Sequence, residues 1–130
     1  MKIAYSKSPN TRGLMRERHR RDRAQTPTLR ARYPQLDSLR LDFDFSDSGP
    51  FTPAPQVTVL HPPATAFFFF PCPYDDCDGE FDLSNPIDTM VRGEDKRCEG
   101  QLRCCGHRNG NKGKFSCTLT LEFSAEASTA

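Results

Sequence analysis

The chain has 130 residues, of which 35 % are apolar and 27 % charged, and it contains 11 prolines. The apolar share lies below the roughly 45–50 % of ordinary globular domains, which indicates one small domain with a polar extension and a core that needs a cross-link or a metal. No apolar run suits a signal peptide or a membrane span, so we expect a cytoplasmic protein with no membrane partner.

Residues 1–35 are predicted to form a basic, mobile N-terminal arm. Residues 1–40 hold 11 Lys and Arg against 3 Asp and Glu, whereas residues 41–130 hold 7 against 14. Residues 11–25 are fair helix formers, but the arm's apolar residues, such as Leu14 and Met15, are too few for an amphipathic helix face, so this segment is disordered or is a helix that forms on contact. Pro27 can open a short helical turn that ends before Pro34. The excess positive charge predicts an anionic partner, or contact between arm and body.

Residues 36–126 are predicted to form a β-rich domain. Apolar residues alternate with polar ones from Leu39 to Phe45, which is the period of a half-buried strand. Further strands are predicted at 57–60, 64–70, 80–83, 96–102 and 115–123, with a glycine-rich loop at 105–114. Residues 127–130 are small and polar and are predicted to be a disordered tail.

One short helix is predicted between residues 85 and 93. Asn85 can cap it, Pro86 suits the first helical position and Gly93 suits the stop. The fold class expected from these patterns is a small α+β domain: an antiparallel sheet, one short helix and the flexible basic arm, to which the cysteines and the resemblance described below add a zinc-ribbon-like end.

All six cysteines lie between residues 72 and 117. In a chain without an export signal, clustered cysteines stay reduced and indicate a metal, whereas export would make them a disulfide framework. Cys72 and Cys77, four residues apart and bracketed by prolines, have the spacing of half a zinc site. Zn²⁺ bound in this way would supply part of the folding energy.

The second half of the site is open among Cys98, Cys104, Cys105, His107 and Cys117. Two strands entering side by side would contribute Cys98 and Cys117, whereas one tight loop would contribute Cys98 with Cys104 or Cys105. With four cysteines available the site is expected to be closed and structural. No spacing typical of a catalytic centre or a phosphate loop is present, so we expect neither an enzyme nor a small-molecule substrate.

Three stretches of the chain carry a resemblance: Pro71-Cys72-Pro73 with Cys77-Asp78-Gly79, then Gly93 to Gly100, then Cys117 with Leu121-Glu122-Phe123. Together they resemble a group of small uncharacterised bacterial proteins with a zinc-ribbon-like body. The resemblance covers about residues 36–126 and leaves the basic arm outside. It implies that the zinc ligands are Cys72, Cys77, Cys98 and Cys117, with residues 104–114 as a variable loop.

Basic residues of the arm and of the 105–114 loop are the candidates for contacting RNA or DNA phosphates. They are Arg16, Arg18, Arg20, Arg21, Arg23, Arg108, Lys112 and Lys114. The leading hypothesis is thus a non-catalytic zinc protein that binds nucleic acid or a ribonucleoprotein. The alternatives are a zinc-stabilised adaptor that presents its sheet edge or its acidic segment to a protein, and a redox or metal sensor built on Cys104, Cys105 and His107.

Overall fold

The structure is a computed structural model that describes residues 11–49, 51–110 and 113–129. Within these ranges the chain forms three helices and eight strands. In chain order they are α1 (Thr11–Ala24), α2 (Leu29–Arg32), β1 (Leu36–Ser46), β2 (Gln56–Leu60), β3 (Phe69–Pro71), β4 (Glu80–Asp82), α3 (Ser84–Arg92), β5 (Arg97–Arg103), β6 (His107–Gly110), β7 (Gly113–Ser116) and β8 (Thr120–Thr129). The antiparallel α+β architecture agrees with the expectation from the sequence.

The main sheet has the strand order β2-β1-β8-β5, and every neighbouring pair is antiparallel. The alternation predicted for β1 is confirmed, because Leu39, Leu41 and Phe43 are buried while the residues between them are more exposed. Phe43 lies opposite Phe123 of β8, so the apolar faces of the two central strands coincide. This shared face is the main part of the core.

β8 corrects the prediction of a disordered tail at 127–130 as far as Thr129, the last described residue. It continues the sheet to Thr129, which lies opposite Leu36 of β1. Ala125 and Ala127 are buried there. Alanine is small enough to be buried in a closely packed sheet, which is why a segment with the composition of a tail forms a central strand.

Two short hairpins lie outside the main sheet. One consists of β3 and β4, and the other of β6 and β7. The predicted strand at 64–70 is reduced to β3, and the predicted loop at 105–114 contains the β6–β7 hairpin. The predicted strand at 115–123 is interrupted between Ser116 and Thr120, and this interruption contains Cys117.

α3 confirms the helix predicted from Pro86 and Gly93, although it begins at Ser84. The predicted cap Asn85 lies inside the helix, and the side chain of Asp82 accepts the Ser84 N–H at 2.9 Å instead. α3 buries Ile87, Met90 and Val91. None of the helices among the described residues is long and apolar enough to cross a membrane.

Residues 11–32 correct the prediction of a mobile arm, because they form α1 and α2 packed on the body. Met15 and His19 of α1 and Leu29 of α2 are buried. Residues 1–10 lie outside the described residues. The α1 interface contains few apolar groups and depends largely on hydrogen bonds, which explains why hydrophobic periodicity does not predict it.

Candidate metal centre

The first pair of cysteines lies in the connection between β3 and β4. The Cys72 N–H donates to Gly79 O at 2.9 Å, and the Cys77 N–H donates to Tyr74 O at 3.2 Å. These bonds fold residues 72–79 into a tight loop that turns both side chains inward. Both cysteines are fully buried.

The second pair flanks the β6–β7 hairpin. Cys104 directly follows β5, and Cys117 directly follows β7. The Cys104 N–H donates to Leu119 O at 2.9 Å, and the Cys117 N–H donates to Gly106 O at 2.9 Å. The two ends of the hairpin are thereby tied together, and both thiols point toward the first pair.

The four sulfurs form a compact cluster, called here the cysteine centre. All four Sγ atoms lie within 4.8 Å of one another. The Cys77 and Cys104 sulfurs are 3.5 Å apart, and those of Cys72 and Cys117 are 4.0 Å apart. Four sulfurs bound tetrahedrally at about 2.3 Å from one ion are about 3.8 Å apart. The spacing therefore suits one metal ion, whereas a disulfide needs about 2.05 Å.

Backbone N–H groups surround the sulfurs in a repeated pattern. Gly79 N donates to Cys77 Sγ at 3.3 Å, and Gly106 N donates to Cys104 Sγ at 3.4 Å. The Tyr74 and Leu119 amides make the equivalent bonds to Cys72 and Cys117. Each sulfur thus accepts the N–H of the residue two positions later. Such donors stabilise thiolates, the form of cysteine that binds metals.

Gly79 and Gly106 are required by the close approach of the two loops. A Cβ on Gly79 would overlap the Cys104 sulfur and lie 2.9 Å from Gly106 N. A Cβ on Gly106 would overlap the backbone of Gly79. Any larger residue at either position would separate the two halves of the centre.

The four thiols also differ in acidity. Burial raises the pKa of Cys117, and it raises the pKa of Cys77 to about 12. The hydrogen bond with Cys104, together with burial, raises the pKa of Cys72. That same bond, aided by the Gly106 N–H, lowers the pKa of Cys104 to about 5. Burial opposes negative charge on these sulfurs, so a cation is needed to balance four thiolates.

The ligand set expected from the resemblance is corrected at one position, since Cys98 lies outside the centre and Cys104 lies inside it. The Cys98 sulfur lies 3.8 Å from Pro86 O of α3. Cys98 and Cys104 share strand parity, but six residues of strand separate them by about 20 Å. Cys104, which directly follows β5, lies close enough to the two hairpins for its sulfur to join the other three.

The other alternative ligands also lie outside the centre. Cys105 is exposed, with its sulfur 3.7 Å from Arg103 O. His107 uses its backbone N–H to bond the Asp78 carboxylate at 2.7 Å. The cluster proposed for a sensor is therefore split, with one cysteine buried and the other at the surface.

A Cys-x-Gly spacing recurs in the sequence. Cys77-Asp78-Gly79 and Cys104-Cys105-Gly106 both place a glycine two residues after a cysteine. In the structure the glycine of each of these two segments donates its N–H to the cysteine sulfur. Because glycine has no Cβ, the two loops can approach each other closely. Cys98-Glu99-Gly100 has the same spacing, so the pattern excludes Cys105 but does not by itself separate Cys104 from Cys98.

α1 lies against the outside of the first cysteine loop. Nη1 of Arg12 donates to Cys72 O at 2.9 Å and to Cys77 O at 2.8 Å. Glu80, which follows the loop, pairs with Arg18 and with the buried His19. The His19 ring also packs on Phe67 and Phe69. The positive arm therefore compensates the acidic segment beside the cysteines, a role that the sequence suggested only in general terms.

The predicted phosphate-binding arginines of α1 differ in their surroundings. Arg18 pairs with Glu80, Arg20 pairs with Glu17, and the Arg23 guanidinium lies 4.9 Å from the Phe67 ring centre. Arg16 and Arg21 are exposed. Arg16, Arg20 and Arg23 line one flank of α1, where they border a cavity of about 290 Å³ with Pro71.

The predicted basic residues of the β6–β7 hairpin serve the structure as well. Arg108 bonds Asp76 at 2.9 Å and lies over the Tyr74 ring, 3.8 Å from its centre. Lys114 Nζ donates to Thr11 Oγ1 of α1 at 3.4 Å. Lys112 lies outside the described residues. Arg108 is therefore part of the shell around the cysteine centre.

Tyr74 connects the cysteine centre to the loop after β1. Its hydroxyl donates to Asp47 Oδ2 at 2.6 Å, and Asp47 also accepts the Thr118 hydroxyl. These bonds from Thr118 and Tyr74 lower the pKa of Asp47, while burial, followed by the bond to Asp47, raises the pKa of Tyr74 to about 12. The shell thus joins both halves of the centre to the main sheet.

Comparisons of the chain with protein-family models, with curated proteins and with solved structures find no match. Its function therefore has to be inferred from the cysteine centre and from the basic helix beside it.

Proposed function

We propose that this chain is a non-catalytic zinc protein in which the cysteine centre holds one structural Zn²⁺. The observation that carries the proposal is the set of four buried sulfurs at tetrahedral spacing. Zinc is the ion that most often occupies a closed four-thiolate site, although a single iron has the same geometry. Four protein ligands leave no open coordination position for a substrate, which is why we propose a structural role.

We also propose that the cysteine end is a zinc ribbon of the kind that the resemblance to bacterial proteins implies. Its support is that the β3–β4 and β6–β7 hairpins each border one pair of cysteines. A reducing compartment such as the cytoplasm would keep the thiols free to bind the metal.

Metal analysis of matched cysteine variants tests the zinc site. Protein purified without chelator is expected to contain one zinc per chain by inductively coupled plasma mass spectrometry. Cys104→Ser should lower that content to below about one tenth, because it removes one of four ligands. Cys98→Ser is the matched control and should keep the zinc. Iron in the wild type, or equal zinc content in both variants, would reject the proposal.

The proposed partner is nucleic acid, bound through phosphates at the arginine flank of α1. The support is the spacing of Arg16, Arg20 and Arg23 at i, i+4 and i+7, which places three cations along one side of a helix. Among the described residues, Glu17, the partner of Arg20, is the one acidic residue that lines the same cavity. Arginine binds phosphate through paired N–H donors. Because α1 is fastened to the first cysteine loop through Arg12, zinc would also hold this flank in position.

Salt-dependent binding tests the flank. The probe is a fluorescein-labelled single-stranded RNA of mixed sequence, followed by fluorescence anisotropy. Replacing Arg16, Arg20 and Arg23 with glutamine should weaken binding and lower the slope of log K against log salt by about 2, since each phosphate contact contributes about 0.7. Replacing the exposed Arg30, Arg97 and Arg103 with glutamine removes the same amount of charge elsewhere on the protein, and the slope should stay close to that of the wild type. Equal losses in both triple variants would mean that net charge alone binds the RNA.

A further inference from the structure

The two edges of the main sheet differ in how they are protected. β5, at one edge, carries three charged residues and a glycine within its seven residues. β2, at the other edge, has the sequence Gln-Val-Thr-Val-Leu and carries no charge. Natural edge strands usually carry charges, prolines or bulges that prevent pairing with another strand. β2 has none of these within its length.

β2 also exposes apolar side chains. Val57 is 58 % exposed and Val59 is 47 % exposed. In the register with β1, Val57 lies opposite Asp42 and Val59 lies opposite Arg40. Both valines therefore lie on the outer face of the sheet, beside polar residues, and no described segment covers them.

The sequence of β2 is self-complementary. If two copies of β2 pair antiparallel about a two-fold axis at Thr58, Val57 of each copy faces Val59 of the other. Four valines then form one apolar cluster on the same face of a continuous sheet. Cross-strand pairs of β-branched residues are among the favourable pairs in antiparallel sheets.

The charges beside the valines agree with this pairing. Arg40 lies in the same cross-sheet row as Val59, and Asp42 lies in the same row as Val57. The two-fold axis places the Val59 row of one copy in line with the Val57 row of the other. Each row then ends in Arg40 on one side and Asp42 on the other, so that opposite charges flank the valines. A one-residue slip would turn the valines to opposite faces.

We propose that β2 is a self-association edge, through which two copies of this chain form an antiparallel dimer with one continuous eight-stranded sheet. Since the pairing strand has five residues and prolines stand close on both sides of it, the interface is small and the dimer is weak and reversible. We expect a dissociation constant on the order of 10–100 µM. The surface lies on the main sheet, and the dimer does not depend on the proposed zinc or RNA contacts.

Sedimentation velocity across roughly 5 to 500 µM tests the proposal, because this range spans the expected dissociation constant. The zinc-loaded wild type should pass from monomer to dimer. Val57→Lys combined with Val59→Lys should raise the dissociation constant at least about tenfold, because it adds like charges at the centre of the interface. Gln101→Lys, at the β5 edge, is the control and should leave the constant unchanged.

Circular dichroism and zinc content establish that each variant is folded, and hydrogen exchange gives a second measurement on the wild type alone. The β2 amides should become more protected as the concentration rises. A wild type that is monomeric throughout overturns the proposal. Dissociation of the dimer by Gln101→Lys also overturns it. Protection of the β2 amides that does not depend on concentration overturns it as well, because another segment of the same chain would then cover the edge.

Discussion

The cysteine end of the molecule, residues 67–83 and 104–119, is held together differently from the main sheet. The sheet buries a continuous apolar face in which Leu39, Leu41 and Leu121 are at most 1 % exposed. The strands of the cysteine end are three or four residues long. Isolated hairpins of that length are not stable in water. The sheet therefore has the larger hydrophobic stabilisation. Phe68, Phe81 and Leu119 of the cysteine end join the same core, but its short hairpins would gain more from a metal held by the four sulfurs.

Removal of the proposed zinc is expected to give the largest effect, because structural zinc contributes on the order of 10 kcal/mol. After chelation, the amides of Gly79, Gly106 and Cys117 should lose their protection against hydrogen exchange, while those pairing β1 with β8 should keep most of it. Hydrogen exchange with mass spectrometry measures both, and adding zinc back is the control. Simultaneous loss of protection in both regions would show that they unfold as one unit.

Gly106→Ala should give an intermediate effect that is confined to the cysteine end. The added Cβ overlaps the backbone of Gly79, so the two loops must separate. We expect zinc affinity to fall about 10- to 100-fold, as for other changes beside a metal site. Competition with a chromogenic chelator measures the affinity. Gly49→Ala is the matched control, since its Cβ would meet no atom within 4 Å; equal affinity in both variants would contradict the close approach.

The smallest expected effect concerns the pKa of two tyrosines, one in each region. Tyr33 donates to Asp88 of α3 at 2.7 Å, and Tyr74 donates to Asp47 beside the cysteine centre. Burial, followed by the bond to the carboxylate, raises the pKa of each to about 12. Because both folded values lie above the ordinary 10.0, the stability from each tyrosine is present below pH 10 and is lost as the pH rises through about 12.

Ultraviolet titration of Tyr33→Phe and Tyr74→Phe assigns the two transitions. Chelation should return the Tyr74 transition toward pH 10 and leave the Tyr33 transition near 12, since only Tyr74 belongs to the cysteine end. A Tyr33 transition that moves as well would mean that the sheet loosens with the metal site.

The sequence predicts the main sheet well because one face of it is apolar and the other polar. The alternation of β1 is a local consequence of that packing, and Pro86 and Gly93 are local backbone signals for the ends of α3. β8 was predicted only in part, since Ala125 and Ala127 contribute little hydrophobicity although they are buried. Local pattern thus identifies a strand by its large side chains and misses one that packs through small ones.

The cysteine centre could be predicted only for the pair whose ligands are close in sequence. Cys98 and Cys104 share parity, and the choice between them depends on where β5 ends relative to the two hairpins. The packing of α1 on the body was missed for a different reason. Its contacts are an arginine on two carbonyl groups and a histidine on a glutamate, and such contacts leave no hydrophobic period in the sequence.

The position of β8 has a consequence for synthesis of the chain on the ribosome. Among the described strands β8 is made last, yet it lies between β1 and β5 and pairs with both. Until residues 120–129 are made, the edge of β1 that pairs with β8 has no partner, and the sulfur of Cys117 completes the cysteine centre only shortly before that. Folding of the sheet must then follow translation of residue 129, and until that point β1 is a surface that chaperones can recognise.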